Sequence, residues 1–468
     1  MRVSRRQFMT MTAGVILVGG MAYRRIWAGG PDSDVEFLTP IDPAYEARRQ
    51  PFNKTITLKP KVIALCHSEA GVQKAVRHAI EHNLPIAVKS GGHSFEGFSL
   101  NGDGLVIDLS GMKAMQFKDG ETFIAGPGCT LSEVYDFILP QHRILPLGSC
   151  GGVGLAGLTL GGGYGLLSRK FGLTCDHLTH LRMVDGKGTI VDTHTNPDLL
   201  WACRGGGNGH FGVVTEMSFT THPAPKTLTR YLCKFQDLTP PKACELARRW
   251  FESTSRLPHD AFAAFVLNRK TLTLLVTTVE ETPSQAMIKL TNELMAGSDK
   301  VHPVKTASLA ESFPGYYGRR EPLFFKNASA GYMNAFSDIQ GIAEELFARV
   351  AATPGMIMQI NTLGGAINSK EFAERSSYPH RARANLGELQ CYWDEAKQTE
   401  TRLKGFRDTQ DVLMKAKLTG HYANYPDLRF KNWAEDYYSA DNLKRLQAIK
   451  ALHDPDNRFR HPQSVPLS

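Results

Sequence analysis

The chain has 468 residues, 42% of them hydrophobic and 21% charged. At roughly 100–200 residues per domain this predicts two or three domains with a sizeable core, and it excludes a small disulfide scaffold. The composition is that of a globular protein, so neither a disordered chain nor a multi-span membrane protein fits. The formal charge of +8 is concentrated at the start: Arg2, Arg5, Arg6, Arg24 and Arg25 precede the first acidic residue, Asp32, and the remainder carries only +3. With no dense basic stripe and interleaved aromatics, a nucleic-acid partner is not expected.

Ser4-Arg5-Arg6-Gln7-Phe8-Met9 resembles the twin-arginine export signal, followed by a weakly apolar stretch from Met11 to Ala22. Residues 1–30 therefore read as a signal segment that engages the twin-arginine translocation machinery, with an exported, periplasmic or extracellular destination. Tyr23, Arg24, Arg25 and Trp27 intervene before Ala28-Gly29-Gly30, so no clean cleavage site follows and retention as an anchor stays open. Proteins on this route fold in the cytoplasm first, usually around a tightly bound cofactor. The eight cysteines show no short C-x-x-C pairs, so no structural zinc cluster and no metal are expected, and disulfide pairing is not assignable.

From about residue 55 the chain alternates short apolar runs with amphipathic helices. Val62–Leu65 predicts a strand, and Ser68 caps a helix with Val72, Ala75, Val76, Ala79 and Ile80 on one face. Pro85–Val88 predicts the next strand, running into the glycine turn Lys89-Ser90-Gly91-Gly92-His93-Ser94. Strands follow at Leu105–Leu109 and Thr122–Ala125, and Thr130-Leu131-Ser132-Glu133 is a capping box for a helix through Ile138. Further strands are expected at Leu178–Val184, Thr189–Val191 and Gly212–Phe219, making residues 50–222 an α+β domain. Residues 223–418 mix strands (Leu272–Thr278) with polar helices (Ser284–Met295) and read as a substrate domain. In 419–468 the last helix, Asp441–Leu452, has apolar spacing at Leu443, Leu446, Ile449 and Leu452.

Gly148 through Gly165 is the densest signal. Each glycine in a regular helix costs about 1 kcal/mol relative to alanine, so the segment reads as backbone that approaches a flat or anionic ligand closely. Gly152-x-Gly154-x-x-Gly157 satisfies the dinucleotide fingerprint, but Gly161-Gly162-Gly163 interrupts the helix that fingerprint requires, and a nicotinamide site is rejected.

Several ordered blocks carry a family resemblance: Lys89 through Gly97; Gly126-x-Gly128 before Val134-Tyr135; Cys150 through Asp176; Leu200 through Gly207 with Phe211-Gly212-Val213-Val214; and Asn424-Tyr425-Pro426-Asp427, Tyr437-Tyr438 and Lys450 with Asp454-Pro455-x-Asn457-x-Phe459. With these the chain resembles the FAD-linked oxidases of the vanillyl-alcohol-oxidase type, in the berberine-bridge-enzyme-like branch. The resemblance implies an α+β protein: a PCMH-type FAD-binding domain, an α/β substrate domain with an antiparallel sheet, and a C-terminal segment returning to the FAD domain. It further implies FAD held by two covalent bonds, from His93 and from Cys150. The other cofactor-binding residues it implies are Lys89, Ser90, Gly91, Gly92, Ser94, Gly128, Gly154, Gly157, Gly162, Tyr164, Gly165, Val213 and Tyr425. Two departures stand out: Lys89 replaces a frequent arginine, and Gly151-Gly152 replaces Pro-Thr beside the flavin, which leaves oxidase against dehydrogenase open.

The implied activity is FAD-dependent oxidation of a small-molecule alcohol or carbohydrate by hydride transfer to flavin N5, with O2 or another electron acceptor reoxidising the flavin; the alternative is a flavin-binding scaffold that has lost catalysis. A proton acceptor is required near the substrate. Tyr425, assisted by Asp427 or a nearby cation, is one candidate, because a tyrosine near pKa 10 is a poor base unaided. Glu388 is the rival: strand periodicity puts it on one face with Gln390 and Tyr392.

Overall fold

A computed structural model of the chain describes residues 34–467; the twin-arginine segment lies outside them. The first sheet runs, in spatial order, Val35–Leu38, Val62–Cys66, Leu105–Asp108 and Ile86–Lys89. The last three are mutually parallel and the first is antiparallel to its neighbour. Val62–Cys66 and Leu105–Asp108 are buried throughout, as expected of strands covered on both faces. Helix Glu69–Glu81 covers one face with Val72, Ala75, Val76 and Ala79 fully buried, and its Ser68 cap accepts from the Gly71 N–H at 3.1 Å. The edge strand Val35–Leu38 precedes residue 50, so this lobe begins earlier than the domain start read from the sequence.

The second sheet is antiparallel, in the order Met115–Phe117, Thr122–Ala125, Gly212–Thr220, Leu178–Asp185, Ile190–Asp192. Beside it, helix Leu131–Ile138 begins where the Glu133 carboxylate accepts from the Thr130 N–H and hydroxyl, both at 2.8 Å. His222–Pro223 still pairs with Arg143–Ile144, so the sequence boundary at 222 falls inside a strand pair, and the next sheet starts at Thr227.

That third sheet has eight antiparallel strands. Its order is Lys300–Val301, Thr227–Phe235, Thr271–Thr278, Ala261–Asn268, Met356–Thr362, Asn385–Trp393 and Phe324–Met333, with Lys305–Ser308 also on Thr227–Phe235. Helices Pro240–Thr254, Gln285–Met295, Ala343–Ala352 and Thr399–Lys415 pack against it. The fold is α+β.

The C-terminal segment returns to the first sheet: the Ile86 N–H donates to the Arg458 carbonyl at 2.8 Å. In helix Ala440–His453, Leu446 and Ile449 are buried, but Leu452 is 59% exposed and Lys450 is fully buried in its stead. The Lys450 ammonium donates to the carbonyls of His210 (2.8 Å) and Phe459 (2.7 Å) and pairs with Asp454, a satisfaction that apolar spacing cannot reveal. All eight cysteines are free thiols. No helix among the described residues is long and apolar enough to cross a membrane.

Candidate active site

A cavity of about 930 Å³ lies between the first two sheets, the inner face of the eight-stranded sheet and the C-terminal segment. That volume is near the upper end of the roughly 300–1,000 Å³ typical of ligand sites. Ser90, Gly91, Gly92, His93 and Ser94 form part of its wall. The Ser90 hydroxyl donates to the Pro127 carbonyl at 2.6 Å, fixing the turn. Opposite runs the glycine segment, and the two cross in backbone contact: a Cβ on Gly154 would lie 2.2 Å from Ser90 Oγ and 2.4 Å from the Gly91 nitrogen. The segment is not wholly irregular, because Gly154 caps a six-residue helix, Leu155–Leu160, that ends at Gly161. Within that helix Gly157 has nothing within 4 Å of where a Cβ would be, so bare backbone faces the cavity. Gly165 also lines it.

His93 stacks on Phe52 with ring centroids 4.1 Å apart and planes 17° apart. Burial pushes its imidazole down to about 4, so it is neutral at pH 7 and carries an unprotonated ring nitrogen. A Cβ on Gly152 would come within 3.1 Å of His93 Nε2, so the glycine beyond Cys150 is the one that packs on the histidine. Cys150 is half-buried on the same wall, and burial raises its thiol.

Five residues expected at the site are not among those lining the cavity. Lys89 is turned toward Asp108, its partner in strand register, pairing with it at 3.3 Å and donating to the Arg48 carbonyl at 2.5 Å. Gly128 packs its backbone on the Leu109 carbonyl, 2.0 Å from where a Cβ would fall. Gly162, at φ +123°, backs onto the Tyr378 ring. Val213 belongs to the core of the first sheet, because strand alternation gives the cavity side to Gly212 and Val214. Asp427 is fully buried in an ion cluster with Lys326 (3.0 Å) and, through that lysine, Glu96.

The remaining wall is the inner face of the eight-stranded sheet. Glu388, Gln390 and Tyr392 all face the cavity, joined by Asn327, Gln359 and Asn361 from the flanking strands. The sequence reading missed these three amides, although alternation in Met356–Thr362 and Phe324–Met333 marks them. Gln390 donates to Gln359 (3.2 Å), Gln359 to Asn361 (2.9 Å) and Asn361 to the Tyr164 hydroxyl (3.0 Å), which is 2.7 Å from the Tyr425 hydroxyl. The Glu388 carboxylate stands near both ends of this chain, beside Gln390 and Tyr425, and accepts from the Asn327 amide at 3.5 Å. Phe95 stacks on Tyr425, centroids 5.3 Å apart.

Burial pushes the Glu388 carboxyl up to about 7, with Gln390 and Tyr425 drawing it partly back. Tyr425 goes the other way from a base. Burial, the Glu388 charge and neighbouring Tyr164 and Tyr422 hold its phenol well above its ordinary value, and none of these groups is cationic. The only cation beside Asp427 in the described ion pairs, Lys326, is committed to the carboxylates of Asp427 and Glu96.

A glycine cradle open at Gly157, a neutral histidine and a cavity large enough for a dinucleotide fit a flavin. The FAD binding domain family matches residues 60–194, and the berberine and berberine-like family matches residues 421–466. An uncharacterized FAD-linked oxidoreductase of Bacillus subtilis, YgaK, is 30% identical over 92% of this chain and 96% of its own. A chitooligosaccharide oxidase of Gibberella zeae is 30% identical over 88% and 89%. The solved structure of Physcomitrella patens BBE-like 1 shares the fold, with a TM-score of 0.84 over 93% of this chain and 97% of that one at 24% identity. Ordered glycine turns, a sheet-walled cavity and a returning C-terminal segment thus meet full-length relatives, and the chain belongs to the berberine-bridge-like FAD-linked oxidoreductases, as an FAD-dependent enzyme.

Proposed function

We propose that the protein oxidises a hydroxyl-bearing substrate, a sugar or another alcohol, with Glu388 as the base. The observation that carries this reading is the Glu388 carboxyl, buried in the cavity wall and raised to about 7, where it is half-ionised near neutral pH and basic enough to take a proton. FAD, when bound, supplies the hydride acceptor, and electrons then pass to O2 or another acceptor.

The chain's own part is to hold the hydroxyl and move its proton. An ionised Glu388 only accepts hydrogen bonds, which orients Tyr425 O–H toward it, Tyr164 O–H toward Tyr425 and the Asn361 amide N–H toward Tyr164. With its protons so directed, this chain keeps the carboxylate aimed at the cavity, and the substrate O–H proton transfers to a Glu388 Oε. Tyr425 is then a positioning group, in place of the base role read from the sequence. The amide row Asn327, Gln359, Asn361 and Gln390 offers uncharged donors and acceptors suited to a neutral polyhydroxyl ligand. The relative named as a chitooligosaccharide oxidase supports a carbohydrate.

His93 and Cys150 share the cavity wall with the glycine cradle, which supports covalent attachment of FAD through both. Export of the folded, flavin-loaded protein through Arg5-Arg6, to a periplasmic or extracellular location, belongs to the same proposal. Anaerobic mixing with a panel of sugars, alcohols and phenolics tests the activity: sugars or alcohols are expected to bleach the yellow flavin. Bleaching by none would refute it.

A further inference from the structure

We propose that His180, Asp192 and His194, none of which lines the cavity, form a binding site on the five-stranded sheet for one divalent transition-metal ion of the Zn2+ type. The register builds the site. Arg182 pairs with Asp192 across the strands Leu178–Asp185 and Ile190–Asp192, and the Thr193 N–H continues the pairing to the Leu181 carbonyl. His180 therefore stands opposite His194, and side-chain alternation puts both on the face that carries Asp192.

The donor atoms converge. His180 Nε2 lies 2.9 Å and His194 Nδ1 3.0 Å from the same Asp192 Oδ1, the imidazole centroids are 4.1 Å apart, and one ligand atom from each residue falls within 4.8 Å of the others. Tetrahedral donors at the usual bond lengths of about 2.0–2.1 Å are roughly 3.3 Å apart, so each imidazole nitrogen needs to part from the Asp192 oxygen by only a few tenths of an ångström. A neutral imidazole changes tautomer to turn the same nitrogen's lone pair toward the ion. Two imidazoles and one carboxylate suit Zn2+, Ni2+ or Co2+ and not the oxygen-seeking Mg2+ or Ca2+, with water completing the shell.

The surroundings permit a cation. Arg182 is 3.7 Å from Asp192 Oδ2, but its guanidinium is forked onto Glu69 at 2.6 and 3.1 Å, which offsets its charge. The His180 side chain is only 12% exposed and held by its strand, while His194 is 75% exposed and free to adjust. Cysteine spacing bears only on thiolate sites, so this histidine set escaped the sequence reading.

The test is calorimetric titration of the FAD-loaded protein with ZnCl2 at about pH 7.5, paired with crystallography at the zinc absorption edge. One ion is expected per chain, with anomalous density between the three side chains. His194→Ala removes an exposed ring, leaving the core intact, and should weaken this binding at least tenfold; Asp192→Asn should do the same. Equal affinity in wild type and His194→Ala, zinc density elsewhere, or Mg2+ binding as tightly as Zn2+ would each overturn the proposal. Flavin bleaching by substrate is measured in the same preparations, so loss of the metal site and loss of the oxidase reading are told apart.

Discussion

Glu388→Gln removes an ionisable group without changing shape, and its consequences for rate and stability run in opposite directions. The carboxyl is 6% exposed and raised from 4.5 to about 7, which costs its ionised form ~3 kcal/mol. Because the folded-state value lies above the unfolded one, the associated stability is present below about pH 4.5, declines as pH rises to about 7, and is absent above that. At pH 8 the Gln variant should therefore unfold at a higher temperature than wild type, and at pH 4.5 the difference should shrink. Rate behaves oppositely: losing the base should slow anaerobic flavin reduction about 10²–10⁴-fold. The wild-type rate should rise with pH through one ionisation near 7, and the variant should be flat. Stopped-flow reduction across pH 5–9 with thermal unfolding at both ends measures all of this. A variant that reduces at the wild-type rate, with the pH step intact, would refute Glu388 as the base.

Tyr425→Phe takes a favourable contact from the Glu388 carboxylate, so its reduction profile should shift to higher pH while flavin content stays constant; an unshifted profile would show that the tyrosine does not tune the carboxylate. His93→Ala and Cys150→Ala should each retain flavin after acid precipitation and the double variant should release it, whereas release from wild type would end the two-bond reading. Lys326→Met strands the Asp427 and Glu96 carboxylates in the interior and should destabilise the protein by about 3–5 kcal/mol, read as a lower unfolding midpoint. Replacing Arg5 and Arg6 by lysine should leave active yellow enzyme in the cytoplasm, and undiminished export would show that the leader acts otherwise.

Local chemistry was legible along the chain wherever neighbours in sequence decide it. The Ser68 cap, the Thr130-Glu133 box and the strand Thr122–Ala125 depend on groups a few residues apart, and each forms. Alternation likewise put Glu388, Gln390 and Tyr392 on one face before any sheet was known. The family and its cofactor were readable for a related reason: glycines where backbone must approach a ligand leave a mark that no other residue can replace. Tertiary structure alone decided which side chains line the cavity and in what protonation state. Lys89 and Asp427 look like site residues in sequence, yet each satisfies its charge on a distant partner, Asp108 or Lys326. The proposal of Glu388 over Tyr425 as the base has the same origin, because a pKa is set by burial and by charges brought together from Gly163-Tyr164, the eight-stranded sheet and the C-terminal loop. Burial and long-range pairing are properties of the assembled chain, and a one-dimensional pattern does not contain them.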